Sequence, residues 1–201
     1  HFTNQDIDTS NTVNSKPIYW LINQHNLTID AFTFPDVGFL GLINSSNIIV
    51  RDLSLTSNGQ GILFAFTRNS QIENVNVSDN FAGILLAYSK NNIVLGNTLL
   101  NNLKGIHLWG MSSNNRIFEN DIRNCLNYPS SSNPKGFGIY HSGDDSNVII
   151  GNCIMNHSYG VYMWNSSNNK IYHNNFIDNT NQILLENSLN NTWDNGCEGN
   201  Y

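Results

Sequence analysis

The chain has 201 residues, a length that fits one domain, and only 12% of them are charged, with a net charge of −6. That balance excludes the basic footprint of a nucleic-acid binder, and no apolar run approaches the length of a membrane span. Polarity comes instead from amides and hydroxyls, and the first residue is His1 rather than an initiator Met, which suggests a mature or excised segment.

In chain order, residues 1–40 are the least periodic and carry Pro17, Tyr19, Trp20 and Pro35. They are expected to form an N-terminal cap and irregular first turns. From Gly41 onward a unit recurs, opening with a Gly or Gln before an aliphatic residue: "GLINSSNIIV" at Gly41, "GILFAF" at Gly61, "GILLAY" at Gly83, "GIHLWG" at Gly105, "GIYHSG" at Gly138, "GVYMWN" at Gly160 and "QILLEN" at Gln182. Successive starts lie 20, 22, 22, 33, 22 and 22 residues apart, a period that marks a repeat architecture. Each unit holds a short G-I-x-L alternation followed by two pieces centred on single apolar residues, such as Ile117 and Ile122. Alternation over three to five residues is a strand signal, and no window sustains a helical apolar stripe. The expectation is therefore an all-β, single-stranded right-handed parallel β-helix, with three short strands per 22-residue turn over residues 41–201.

Between the second and third pieces of four consecutive units stands an asparagine: Asn97, Asn120, Asn152 and Asn174. Turns of a β-helix stack about 4.8 Å apart, so these amides are expected to form a hydrogen-bonded ladder at a sharp corner, where asparagine also tolerates left-handed backbone. Leu53 and Val75 take the place in earlier units, so the ladder is partial. The longer unit carries one insertion, "LNYPSSSNPKG" from Leu126 to Gly136, read as a loop thrown out from the coil.

"NTVNSKPIYWLINQHNLTI", "PDVGFLGLINSSNIIV", the recurring "GIxLxxSxNNxIxxN" and the closing "NNTWDNGCEGNY" resemble the NosD-like right-handed parallel β-helix proteins, in the form common among secreted and cell-surface proteins of archaea. The resemblance covers nearly the whole chain. It implies the fold; polysaccharide lyases, hydrolases, epimerases, adhesins and structural proteins all share this repeat, so it leaves the activity open.

The family's name comes from an accessory protein for copper-site assembly, and copper needs converging His, Cys or Met. Here His25, His107, His141, His157 and His173 fall in different columns or on distant turns, Met111, Met155 and Met163 do not align with them, and no metal site or other cofactor is expected. His107 and His141 lie on neighbouring turns, one outside and one inside. Cys153 and Cys197 share a column two turns apart, about 9.6 Å, too far for a disulfide. With Cys125 they are expected as three buried or half-buried free thiols. Six Asn-x-Ser/Thr sequons, at Asn26, Asn44, Asn76, Asn156, Asn165 and Asn190, permit glycosylation.

Two constellations bear on function. Glu119, Asp121, Asp144 and Asp145 lie on adjacent turns beside the insertion, and glycoside hydrolysis requires two carboxylates at a fixed separation. The partner segments of the polygalacturonase-like hydrolases are missing, so a polar turn is the preferred reading and an enzyme the less favoured one. The second constellation is an outward strip. With the first and third residues after each Gly pointing inward, the second and fourth point out. They include His107, Trp109, Tyr140, Tyr162 and Trp164, where an outer sheet face ordinarily carries polar residues. The strip is either covered by the chain's own N-terminal segment or insertion, or it contacts another protein, or it stacks on sugar rings. The leading expectation is an extracellular or cell-surface structural or adhesive module whose partners are copies of itself or neighbouring surface domains. A polysaccharide-binding or polysaccharide-cleaving module comes second, and a copper-site maturation accessory third.

Overall fold

The computed structural model describes residues 2–125 and 136–201. Of the predicted insertion only Gly136 lies within them. The chain winds into a parallel β-helix of about seven turns built on three sheets, as the repeat predicts. The wide sheet runs through Lys16–Ile22, Phe39–Ile43, Gln60–Ala65, Ala82–Ala87, Lys104–Trp109, Phe137–Ser142, Tyr159–Trp164 and Asn181–Glu186. Thr12–Val13 adds antiparallel to its first edge. The coil therefore begins at Lys16, ahead of residue 41. Two narrower sheets, of seven and six strands, complete the cross-section.

Each turn contributes the same rows to one elongated core. Ile72, Val94, Ile117, Ile149 and Ile171 stack in the second sheet, and Val77, Leu99, Ile122 and Ile154 in the third, all buried. In the wide sheet the third residue after each Gly gives the inner row Phe64, Leu86, Leu108, His141 and Met163. The recurring glycine follows from close approach: a Cβ on Gly105 would stand 2.6 Å from the carbonyl oxygen of Gly138 on the next turn.

The corners explain the asparagines. Asn97, Asn120, Asn152 and Asn174 form a buried ladder, and Asn200 extends it at the C-terminal end. Each Oδ1 accepts a backbone N–H from the turn before, as Asn152 Oδ1 does from Asn120 at 3.0 Å. Amide groups that leave the strands at a corner are thus satisfied without water. One detail differs from the expectation: the left-handed residue is the one preceding each ladder asparagine, Gly96, Glu119, Gly151 or His173. The ladder residue itself must turn its amide inward, so the neighbour absorbs the bend.

Three further corners work in the same way. Asn92, Asn115, Asn147, Asn169 and Asn191 make one. Asn80, Asn102, Cys125, His157 and Asn179 make another. Its His157 accepts the Cys125 N–H at Nδ1 and faces the Ile122 carbonyl with Nε2, which fixes the proton on Nε2. The last is a hydroxyl column of Thr67, Ser89, Ser112, Asp144, Ser166 and Ser188. The cysteines are free, with Cys125 buried and Cys153 half-buried. Cys197 departs from the expectation: it is exposed, in a turn where its N–H donates to Asn195 Oδ1.

Candidate functional site

The outward columns of the wide sheet exist residue for residue. One aligns Leu63, Leu85, His107, Tyr140, Tyr162 and Leu184, and the other Ala65, Ala87, Trp109, Ser142, Trp164 and Glu186. Their environments divide into two halves. Ile43, Leu63, Ala65 and Ala87 are buried in a small outer cluster under Phe2, Trp20, Ile22, Phe39, Leu85 and Tyr88. The N-terminal segment thus covers the first half as ordinary core. Beyond it Trp109 and Trp164 remain 39% and 42% exposed.

A third column, which alternation alone did not single out, borders the strip at the first corner. Asn44, Phe66, Tyr88, Gly110, Gly143, Asn165 and Asn187 hold equivalent left-handed positions. Asn and Gly tolerate that backbone, whereas bulky aromatics rarely adopt it. Phe66 and Tyr88 do so at φ 54° and 51°, and their rings stack at 5.0 Å with planes 9° apart. Tyr88 then leans over Gly110, where a Cβ would lie 2.7 Å from the ring. Trp109 meets Tyr88 at 5.1 Å with its plane turned by 61°. Phe66, Tyr88 and Trp109, with Phe2, Ile7 and Trp20 opposite, enclose an apolar groove of about 590 Å³. The aromatic sixth residue in "GILFAF" and "GILLAY" is the sequence signal for this column.

Farther along, Tyr140 and Tyr162 stack at 5.0 Å, and Phe137 and Tyr159 at 5.6 Å. Ring planes that stack at the rung spacing use their faces on one another. The tyrosines accordingly offer edges and hydroxyls outward. His107 packs edge-on to Tyr140, and burial, with Lys104 and His141 nearby, pushes its pKa down to about 3. The Lys104 ammonium sits 4.1 Å from the Tyr140 ring centroid and 5.3 Å from that of Phe81. Burial lowers its pKa to about 8. Burial and a hydrogen bond to the Glu186 carboxylate push Tyr162 up to about 12.

The carboxylates do not converge. Asp144 is fully buried in the hydroxyl column, accepting the N–H groups of Ser112 at 2.6 Å and Ser142 at 2.9 Å. Asp145 is exposed and accepts the Ser167 N–H. Glu119 stands outside the third corner, and Asp121 pairs with Arg123 on the third sheet. Asp144 is therefore closed off from solvent, whereas Asp145 and Glu119 are exposed. Among the sequon asparagines, all six are exposed, and all but Asn76 sit at left-handed corners. The rule that separates them from the buried ladders is simple: at a corner the left-handed asparagine faces out and the next residue faces in.

A family model described as periplasmic copper-binding protein (NosD) matches residues 3–201. Among solved structures, the periplasmic alginate epimerase AlgG aligns over 74% of this chain and 39% of its own, with 19% identity and a TM-score of 0.52. A double mutant of that enzyme aligns over 84% and 49%, with 15% identity and a TM-score of 0.54. The chain thus spans two fifths to one half of the epimerase structures it matches, and at this identity the likeness shows the fold alone. No curated protein sequence matches the chain.

The side chains that could serve as copper donors lie apart. His141 lies inside the core with both ring nitrogens unpartnered, and His107 lies on the other face of the same sheet. Met163 follows His141 in the inner row, Met155 belongs to the third sheet and Met111 is exposed. Among the described residues no three His, Cys, Asp or Glu side chains come together. This donor set does not fit a copper centre. Nor, among those residues, is any helix long and apolar enough to cross a membrane.

Proposed function

The chain belongs to the NosD β-helix family, and we propose that it is an extracytoplasmic module that holds a polysaccharide along the uncovered half of the wide sheet. The observation that carries this reading is the pair Trp109 and Trp164, exposed in one outward column with only Ser142 between them. Two rungs separate the indoles by about 9.6 Å, comparable to a disaccharide step, and the small side chain between them leaves room for a sugar ring. Flat indole faces stack on the C–H faces of sugars, while the Tyr140 and Tyr162 hydroxyl edges supply hydrogen bonds beside them. The Phe66, Tyr88 and Trp109 groove continues the same line toward the N-terminal segment.

The likeness to the epimerase fold assigns no reaction, and the separated carboxylates favour binding over cleavage. A protein interface is the weaker reading. Half of the apolar strip is already buried by the chain itself, and the tyrosine faces are spent on one another. Extracellular or periplasmic placement agrees with the family description and with the exposed sequons, which are proposed as sites of N-glycosylation.

Titration of the protein with soluble polysaccharides, following Trp fluorescence, tests the reading. Quenching by sugar that the Trp109→Ala and Trp164→Ala variants lose, with circular dichroism unchanged, supports it. A wild type that ignores every glycan but sediments as an oligomer in ultracentrifugation overturns it in favour of self-association.

A further inference from the structure

We infer that this face selects uncharged polysaccharides and rejects polyuronates, although the structural neighbours named above include an enzyme of alginate. The inference rests on the glycan-binding reading and narrows it. A uronate chain carries a carboxylate on every sugar, so a site built for it presents cations repeatedly along its length. Across the outward positions of the six wide-sheet strands from Gln60–Ala65 to Asn181–Glu186, the only charged side chains are Lys104 and Glu186.

Neither of them serves a polyanion. The Lys104 ammonium is held over the Tyr140 ring at 4.1 Å and near the Phe81 ring. Glu186 ends the Trp109–Ser142–Trp164 column and binds the Tyr162 hydroxyl, which places a negative charge where the glycan would leave the second indole. His107, the remaining titratable nitrogen on the face, stays neutral at any ordinary pH because burial penalises its cation. The flanking left-handed corner adds Gly110, Gly143, Asn165 and Asn187, all uncharged. The whole chain bears a net charge of −6, so the long-range field also opposes an acidic polymer. What the face does supply is ring faces, phenol hydroxyls, Ser142 and amides, the complement of a hydroxyl-rich neutral chain.

The test compares two pairs of polymers on the intact chain, by Trp fluorescence and affinity electrophoresis: hydroxyethylcellulose and galactomannan against alginate and polygalacturonate, each at low and physiological salt. The expected result is binding of at least one neutral polymer with little dependence on salt, and alginate weaker by roughly tenfold or more. The Glu186→Gln variant should narrow that gap by removing the repulsive charge. Polyuronate binding as tight as neutral binding, and weakened by salt, overturns the selectivity while leaving the glycan site standing. No binding of any of the four polymers overturns the glycan reading itself, and the selectivity with it.

Discussion

The side-chain oxygen of Asn152 accepts two N–H groups from one residue on the preceding turn: the backbone N–H of Asn120 at 3.0 Å and the Asn120 Nδ2–H at 2.9 Å. Its own Nδ2 faces the carbonyls of Ile117 and Ile150 and the Asn174 oxygen. Replacement by leucine of similar volume leaves several buried groups without partners. Asn152→Leu should lower stability by roughly 2–5 kcal/mol, since each orphaned buried group costs about 1–3 kcal/mol. Urea unfolding checks this, and an unchanged midpoint would show that the amide ladder contributes nothing.

Gly110 sits at φ 70° beneath the Tyr88 ring. Alanine there meets both a left-handed backbone penalty and a ring 2.7 Å away. Gly110→Ala should cost roughly 2–4 kcal/mol from the sum of these effects. Because Tyr88 touches Trp109, it should also shift the Trp emission of the folded protein. A normal melting temperature with unaltered emission would mean that Tyr88 moves aside freely and the groove is not rigid.

His141 is buried between Leu108 and Met163, and burial pushes its pKa down to about 3. The unfolded value is about 6.5, so between these two values the unfolded chain binds the proton and the folded one does not. Its contribution is thus intact above pH 6.5 and falls away as the pH drops toward 3. His141→Leu removes two unpartnered ring nitrogens from the core and should stabilise the protein by about 1–3 kcal/mol, more at pH 5 than at pH 7. Melting curves at the two pH values decide it. A variant that is destabilised equally at both would show that the imidazole has a partner in solution.

Asp144 works in the opposite sense. Burial, opposed by the N–H groups of Ser142 and Ser112, raises its pKa to about 7. The folded state holds the proton between about 3.8 and 7, so stability is lost as the pH rises through 7. Asp144→Ser restores the hydroxyl found at Ser89, Ser112 and Ser166. It should be the more stable protein at pH 8, by roughly 1–3 kcal/mol, with the linkage contribution vanishing only below the unfolded carboxyl's pKa of 3.8. Equal pH profiles for the two proteins would contradict a buried, neutral carboxyl. Glycan binding should survive the change.

Much of this molecule is written in local pattern. The 22-residue period, the inward G-I-x-L rows and the ladder from Asn97 to Asn174 follow from the sequence, because in a coil each turn contacts only its neighbours and equal positions must stack. The same regularity placed Trp109, Tyr140, Tyr162 and Trp164 in outward columns. Tertiary structure decided what those columns become. Leu63 and Ala87 lie under Phe2 and Trp20, which come from a segment with no repeat to read, so their burial is a long-range packing event. Stacking of Tyr140 on Tyr162 turned faces into edges, a choice of side-chain rotamer that spacing does not encode. The strained pair Phe66 and Tyr88 and the isolation of Asp144 from Glu119 likewise depend on which wall of the coil each residue faces. Periodicity sets the order of residues along the axis; the angle around it comes from the bends at the corners.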